Sequence, residues 1–377
     1  MTAPSDPALE SFFRDIGDCR DKNNLTHGLH PYPAKFIPHI PRKLIETFAS
    51  YSLPVLDPMC GSGTTLVEAA LQGHRSIGID LNPIATLAAR AKTSILSDDL
   101  AADLELFARQ LRKDSHDAVR LCASAEPREF LNRDKWLLPQ VAQEIFYALE
   151  RVRDLDVSGQ LLATAAISSL IVSVSNQESE TRWCAKPNPQ PDGEVLRRLA
   201  AKLEGVVAAA RKYTSTARGS VEVLRADARS LPLAESSVGT IVTSPPYANS
   251  HDYYLYHKLR LFVLGFEVAP VQFAEIGSRN RHSDMKAEID HYIEAMSSAV
   301  AEWRRVLRSG GYAAVVVGDA VIRSKFYNMR DVFTAVASRS DFRLTQAYRF
   351  GHRQFNATFQ RGFGTALEKV THVLVFQ

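Results

Sequence analysis

The sequence predicts an α/β protein built on a mostly parallel seven-stranded sheet with an antiparallel last strand, plus a helical insertion. Three observations predict it. Seven apolar, β-branched segments are spread along the 377 residues. Helical patterns separate most of them, the alternation that produces a parallel sheet with helices on both faces. Between residues 95 and 220 the strand segments stop, and apolar residues recur at three- and four-residue spacing, the helical period.

The first strand segment is "LPVLD" (53–57), followed by the helical pattern "GTTLVEAALQ". The second is "RSIGID" (75–80), followed by "NPIATLAARAKT". Then come four helical stretches, "DDLAADLELFARQLRKD", "LPQVAQEIFYALERVRD", "SGQLLATAAISSLIVSVSN" and "DGEVLRRLAAKLEGVVAAARKY". They make residues 95–215 an insertion of domain size, and leave 1–94 and 216–377 to form the sheet domain. The sheet resumes with "VEVLRAD" (221–227), "GTIVTS" (239–244) and "GYAAVVVGD" (311–319). The helix "HYIEAMSSAVAEWRRVL" precedes the last of these, with Gly310-Gly311 expected to cap its end. "MRDVFTAVASRS" leads into "FRLTQAYRF" (342–350), and "KVTHVLVFQ" (369–377) closes the chain. The final two strands are joined without a convincing helix, so they are expected to pair antiparallel.

Composition is that of an ordinary globular protein, 45% hydrophobic and 23% charged. No apolar run reaches bilayer-spanning length and the N-terminus lacks a basic-then-apolar leader, so a cytoplasmic protein without membrane partners is expected. Cys19, Cys60, Cys122 and Cys184 form no C-x-x-C pair and no zinc spacing, so reduced thiols and no metal are expected. Charge is uneven. Residues 95–215 hold 16 Lys/Arg against 18 Asp/Glu, whereas residues 321–369 hold 9 against 3. A basic C-terminal portion of this kind suits a phosphate backbone or a solvated face.

The stretch "VLDPMCGSGTTLVEAA" reads as strand, turn and helix. Asp57 ends the strand, Gly61 and Gly63 let a ligand approach the backbone, and Thr64 opens a helix with free N–H groups. Asp80 ends the next strand, where an acid commonly binds ribose hydroxyls. No Gly-Lys-Ser/Thr is present, and Leu66 stands where a G-x-G-x-x-G pattern needs its last glycine, so both phosphate-binding patterns fail. An acid closing the turn repels phosphate and suits a cationic nucleoside; S-adenosylmethionine fits. Asp227, at a third strand tip, is either a helix cap or an acceptor for the adenine amine.

A second constellation ends the strand 239–244: Ser244-Pro245-Pro246-Tyr247. Two prolines fix the backbone into a stiff turn. Together with Asp57-Pro58-Met59-Cys60-Gly61-Ser62-Gly63-Thr64-Thr65, this turn resembles the amino-directed DNA methyltransferases, which methylate N4 of cytosine or N6 of adenine. The resemblance covers 27–94 and 221–320 and implies a Rossmann-like class I methyltransferase fold. It implies S-adenosylmethionine as cofactor, held by His30, Pro31, Tyr32 and Lys35 of "HGLHPYPAKF". Asp57, Pro58, Cys60, Gly61, Gly63, Thr64, Asp80, Leu81, Asp227 and Ala228 complete that set. Met59 stands where the family usually has Phe. The implied partner is double-stranded DNA, and the resemblance leaves room for a cognate restriction endonuclease.

An exocyclic amine is a poor nucleophile whose base must first be flipped out of the duplex. The Ser244 hydroxyl and Pro245 carbonyl offer two acceptors to it. Pro245 and Pro246 hold that carbonyl still, and Tyr247 offers a stacking face worth roughly 1–3 kcal/mol. No covalent nucleophile is required, so Cys60 is not read as one. Serine at the first position resembles the N4-cytosine group, and its hydroxyl can both accept and donate; N6-adenine is the alternative. "HDYYLYHKLRLFVLGF" brings Asp252, Tyr253, Tyr254 and His257 near the site, either as pocket wall or as a packed helix. For DNA contact, Arg182 and Lys186 in the polar loop 175–191 compete with Arg353, Phe355, Phe359 and Arg361 in the loop 350–369. Two rival classes share parts of the pattern: tRNA guanine-N2 methyltransferases, and non-catalytic nucleic-acid-binding modules on a decayed fold.

Overall fold

The computed structural model describes residues 6–16, 23–248, 252–277, 289–322, 325–351 and 370–377. Helices α1 (Pro7–Asp15) and α2 (His39–Phe48) lead into β1 (Val55–Asp57), α3 (Thr64–Leu71), β2 (Ser76–Asp80) and α4 (Pro83–Thr93). Then come α5 (Asp98–Asp114), α6 (Ala118–Leu121), α7 (Arg133–Trp136), α8 (Pro139–Val152) and α9 (Val157–Val174). The hairpin β3 (Gln177–Ser179) and β4 (Arg182–Ala185) precedes α10 (Glu194–Thr216), β5 (Val221–Arg225) and β6 (Val238–Thr243). Next are α11 (Tyr253–Leu264), α12 (Val268–Ala274), α13 (Asp290–Val306) and β7 (Leu307–Gly318). A second hairpin, β8 (Ala320–Ile322) and β9 (Lys325–Tyr327), leads to α14 (Met329–Ser338), β10 (Leu344–Gly351) and β11 (Val370–Phe376).

Seven strands form one sheet in the order β10-β11-β7-β6-β1-β2-β5. β1 pairs parallel with both β2 and β6, and β2–β5 and β6–β7 are parallel. β11 runs antiparallel to both β7 and β10, so one strand is reversed, as expected. The chain winds outward from β1 to β5, then returns to β6 and winds the other way. The reversal falls between β1 and β6, the switch point at which open α/β sheets form their ligand crevice.

Both faces of the sheet are covered. Leu9, Phe13, Leu44 and Ile45 pack on one face with Val55, Val242, Ala314 and Val316. Met296, Val300, Trp303 and Phe333 pack on the other with Ile241, Val315, Val317 and Leu374. Helices α5 and α8–α10 surround a third cluster, including Leu104, Ile145, Leu162, Ile171 and Leu203. That cluster also takes in Leu29, Ala91, Leu259 and Val263, so these helices pack into the body of the protein. Helix α9 is the one described helix long and apolar enough to cross a bilayer, and 61% of it is buried here. Its all-round apolarity is explained by its central position among its neighbours.

Local structure departs from expectation in three places. Gly310-Gly311 caps no helix: α13 ends at Val306, and Gly310, at φ 71°, lies inside β7. The register to β6 shifts there, from Val238↔Leu307 to Thr240↔Tyr312, so the glycines accommodate a bulge. Residues 177–185, read as part of a polar loop, form the β3–β4 hairpin, with Trp183 against Trp136 at 3.9 Å between ring centroids. The β8–β9 hairpin was not expected at all. Arg353, Phe355, Phe359 and Arg361 lie outside the described residues.

Candidate active site

A cavity opens at the carboxyl ends of β1, β2, β5 and β6. It is lined by Asp57, Pro58, Cys60, Gly61 and Thr64 from the first turn, Asp80 and Leu81 after β2, and Asp227 and Ala228 after β5. Ser244 and Pro246 line it from β6, and Tyr32 and Lys35 from the N-terminal segment. The two motifs, some 180 residues apart, therefore meet across the switch point, as a parallel sheet with this order requires.

Local chemistry holds the first turn. Gly63 adopts φ 81° as the N-cap of α3, and a Cβ on it would come within 2.9 Å of the Ala89 side chain, so only glycine fits. The Gly61 N–H donates to Asp80 Oδ2 at 2.9 Å, tying the turn to the neighbouring strand tip. Asp80 Oδ1 accepts from Asn82 N at 2.8 Å, and Asn82 in turn caps α4. From below, fully buried Lys92 donates to Ser62 Oγ at 2.8 Å, and burial pushes its ammonium well below the usual lysine range. Burial likewise pushes the Cys60 thiol well above its ordinary value. Such a thiol is a poor nucleophile at neutral pH.

The three acids differ. Asp57 is 3% exposed, and burial raises it to about 6, opposed by the Thr243 hydroxyl donating to Oδ1 at 2.7 Å. Burial also raises half-buried Asp80 to about 6. Asp227 goes the other way, because Arg229 grips both its oxygens at 2.9 and 2.6 Å and keeps it ionised despite burial. Arg229 also reaches Ala274 O at 3.1 Å, so it ties the β5 tip to the end of α12.

The 27–48 segment divides. Tyr32 lies against Gly61 and flanks the cavity, with Tyr253 at 6.2 Å and His257 at 4.9 Å between ring centroids. Lys35 donates to Asn23 Oδ1 and His27 O. His30, Pro31 and Gly63 do not line the cavity. His30 is buried and turned toward the inserted helices, with Nε2 2.9 Å from Ser168 Oγ on α9. The segment is fastened to α3 through buried Glu68, which meets His27 at 2.8 Å and Arg42 at 2.7 Å. Glu68→Ala leaves the buried His27 ring without that partner. It is expected to lower unfolding free energy by about 3 kcal/mol in a denaturant titration.

In the proline turn, Ser244 Oγ donates to Val316 O on β7 at 3.1 Å. The Ser244 hydroxyl thus has two neighbours, the Val316 carbonyl and the Tyr247 side chain, and it opens onto the cavity. Pro245 is buried and Tyr247 half-buried, on either side of the lining residue Pro246. The Tyr247 ring is half-buried against Gly318, where a Cβ would come within 2.8 Å of it. Tyr292 donates to Pro246 O at 3.0 Å and steadies the turn from α13.

Sequence reasoning missed one wall. Val271, Ala274, Glu275 and Ile276, from α12 and just beyond, line the cavity with Tyr253. Glu275 accepts from the N–H groups of Tyr253 and Tyr254, both at 2.7 Å, capping α11, and burial raises it to about 8. No local pattern marks a cap supplied from 22 positions downstream. Arg182 is exposed and paired with Glu178, and Lys186 is exposed. Among the described residues, no group of His, Cys, Asp or Glu could hold a metal ion.

Strand order, one reversed strand, the glycine turn and acids on neighbouring strand tips define a class I methyltransferase fold. Comparison with known proteins narrows this. A family model described as DNA methylase, of the N6/N4 amino-methyltransferase type, matches residues 3–90. The type II methyltransferase M.MjaII of Methanocaldococcus jannaschii is 21% identical over 81% of this chain and 74% of its own length. M.BsoBI of Geobacillus stearothermophilus is 26% identical over 82% of this chain and 66% of its own. M.MvaI of Kocuria varians is 25% identical over 60% and 54%. These matches are likenesses to DNA methyltransferases, over residues 3–90 for the family model and over 60–82% of the chain for the relatives. A TehB-like SAM-dependent methyltransferase from Corynebacterium glutamicum aligns with 89% of this chain and 86% of its own, at 12% identity and a TM-score of 0.32.

Proposed function

We propose that this chain transfers a methyl group from S-adenosylmethionine to the exocyclic N4 amine of a cytosine flipped out of duplex DNA. One observation carries the reading: Ser244 and Pro246 of the stiff turn open onto the same cavity as Asp57, Asp80 and Asp227. When bound, S-adenosylmethionine supplies an electrophilic methyl group on a positively charged sulfur. The donor set fits it. Asp57 would meet the cationic amino-acid end, Asp80 would accept from ribose hydroxyls, and Asp227 with Ala228 would flank the adenine. Tyr32 walls the cavity beside Gly61.

The Ser244 lone pairs and the Pro245 carbonyl accept hydrogen bonds from the target amine, drawing its lone pair out of ring conjugation. S-adenosylmethionine would supply the methyl group to that nitrogen and leave as the neutral thioether, and the proton given up by the amine passes to solvent. Tyr247 supplies the aromatic face beside the base. The choice of cytosine rests on the likeness of a serine-type turn to the N4 group. Labelled-methyl transfer to mixed-sequence DNA, followed by nucleoside mass spectrometry, is expected to give N4-methylcytosine. N6-methyladenine alone would overturn the base assignment, and product on RNA alone would overturn the substrate class.

A further inference from the structure

The β8–β9 hairpin has no part in the site described above, yet it grows from its edge. β7 runs beside β6, with Thr243 opposite Val315 and Ser244 bonded to Val316 O. Two residues on, Gly318 meets the Tyr247 ring, and the hairpin starts at Ala320. Its register is Ala320↔Tyr327, Val321↔Phe326 and Ile322↔Lys325. Ala320 and Ile322 are buried in the cluster on which Tyr247 and Tyr327 also pack, so hairpin and proline turn share one base. Side chains alternate across a strand, so Phe326 and Val321 face away from that cluster. Phe326 is 38% exposed. It stands opposite a residue only about 10 Å of extended chain beyond Gly318.

Lys325 is exposed at the end of this ladder, with Nζ 5.2 Å from the Tyr327 ring centroid. Residues 321–369 carry nine basic and three acidic residues. An apolar wedge on a paired strand with a lysine beside it is what opening a base stack requires. We infer that this hairpin is the element that opens duplex DNA beside the target base, with Phe326 entering the stack and Lys325 meeting an adjacent phosphate. The inference rests on the proposed DNA-directed activity.

The test uses sheared mixed-sequence duplex DNA and the same DNA heat-denatured, with labelled methyl donor. Phe326→Ala is expected to lower incorporation into duplex by on the order of tenfold or more, because the cost of unstacking is then uncompensated. Incorporation into denatured DNA, whose bases are already unpaired and free of the duplex stack, and cofactor affinity should stay at the wild-type level. Phe326→Trp should keep the duplex rate. Lys325→Ala should reduce the slope of log affinity against log salt on duplex by about one. Equal losses on both DNA forms, or no loss on either, would overturn the inference. Wild-type protein that methylates neither DNA form would instead overturn the activity on which it rests.

Discussion

Asp57→Asn is expected to stabilise the ligand-free protein while removing most of its affinity for S-adenosylmethionine. Asp57 is 3% exposed, and its carboxyl sits at about 6 instead of 3.8 because burial disfavours the charge. A folded-state value above the unfolded one means that protonation favours the fold. This contribution is fully present below pH 3.8 and is lost as pH rises through about 6. Near pH 8 the ionised group costs at most roughly 3 kcal/mol, two pH units at 1.36 kcal/mol each. Asparagine keeps an oxygen for the Thr243 hydroxyl and the Met59 N–H, and carries no charge to bury. The thermal midpoint at pH 8 should therefore rise by a few degrees, and the fall in wild-type stability between pH 4 and 6 should shrink. Cofactor binding should move the opposite way, weakening on the order of 10- to 100-fold by calorimetric titration, since a cationic ligand needs the anion. An unchanged Kd would show that the amino-acid end of the ligand lies elsewhere. For wild-type protein, Kd should rise as pH falls through 6, where Asp57 and Asp80 both take up protons.

The divergence between these acids marks how far the sequence could be read. The strand runs were legible because a strand buried on both faces is a continuous apolar segment, and "VLD", "IGID" and "TIVT" each stop at a polar or proline signal. The tips of those strands were therefore legible too, and with them Asp57, Asp80, Asp227 and Ser244. Their protonation was not, because it depends on who else is present. Arg229 claims Asp227, while no cation among the described ion pairs claims Asp57. His30 was expected in the cofactor set because the resemblance carries the whole His- and Pro-rich segment, but α9 lies on its side of the segment and Ser168 takes the ring. The two hairpins have strands of three or four residues, too short to show a period of two. Gly310-Gly311 after an amphipathic helix has the same sequence signature whether it caps the helix or bulges the strand. Pairing with β6 decides it.

The turn itself is where the largest loss of rate is expected. Ser244→Ala should lower single-turnover kcat with pre-bound cofactor by on the order of 10²–10³, the usual cost of deleting one aimed polar group in a closed site. Cofactor Kd should be unchanged. This contrast alone would not tell acceptor from donor, so Ser244→Asp matters more. In the proposed mechanism Ser244 meets the amine as an acceptor, and its own proton has Val316 O and Tyr247 within reach. A carboxylate is a stronger acceptor with no proton to give. It should recover activity above the alanine variant, even though it faces the Val316 carbonyl unfavourably. If Ser244 instead works by donating to a ring nitrogen, Ser244→Asp will be no better than Ser244→Ala. Tyr247 separates ring from hydroxyl in the same assay. Tyr247→Phe keeps the face packed on Gly318 and should stay near wild type. Tyr247→Ala removes a stack worth about 1–3 kcal/mol and should lose roughly 10- to 100-fold. A phenylalanine variant as slow as the alanine one would place the function in the phenol and not in the face beside the base.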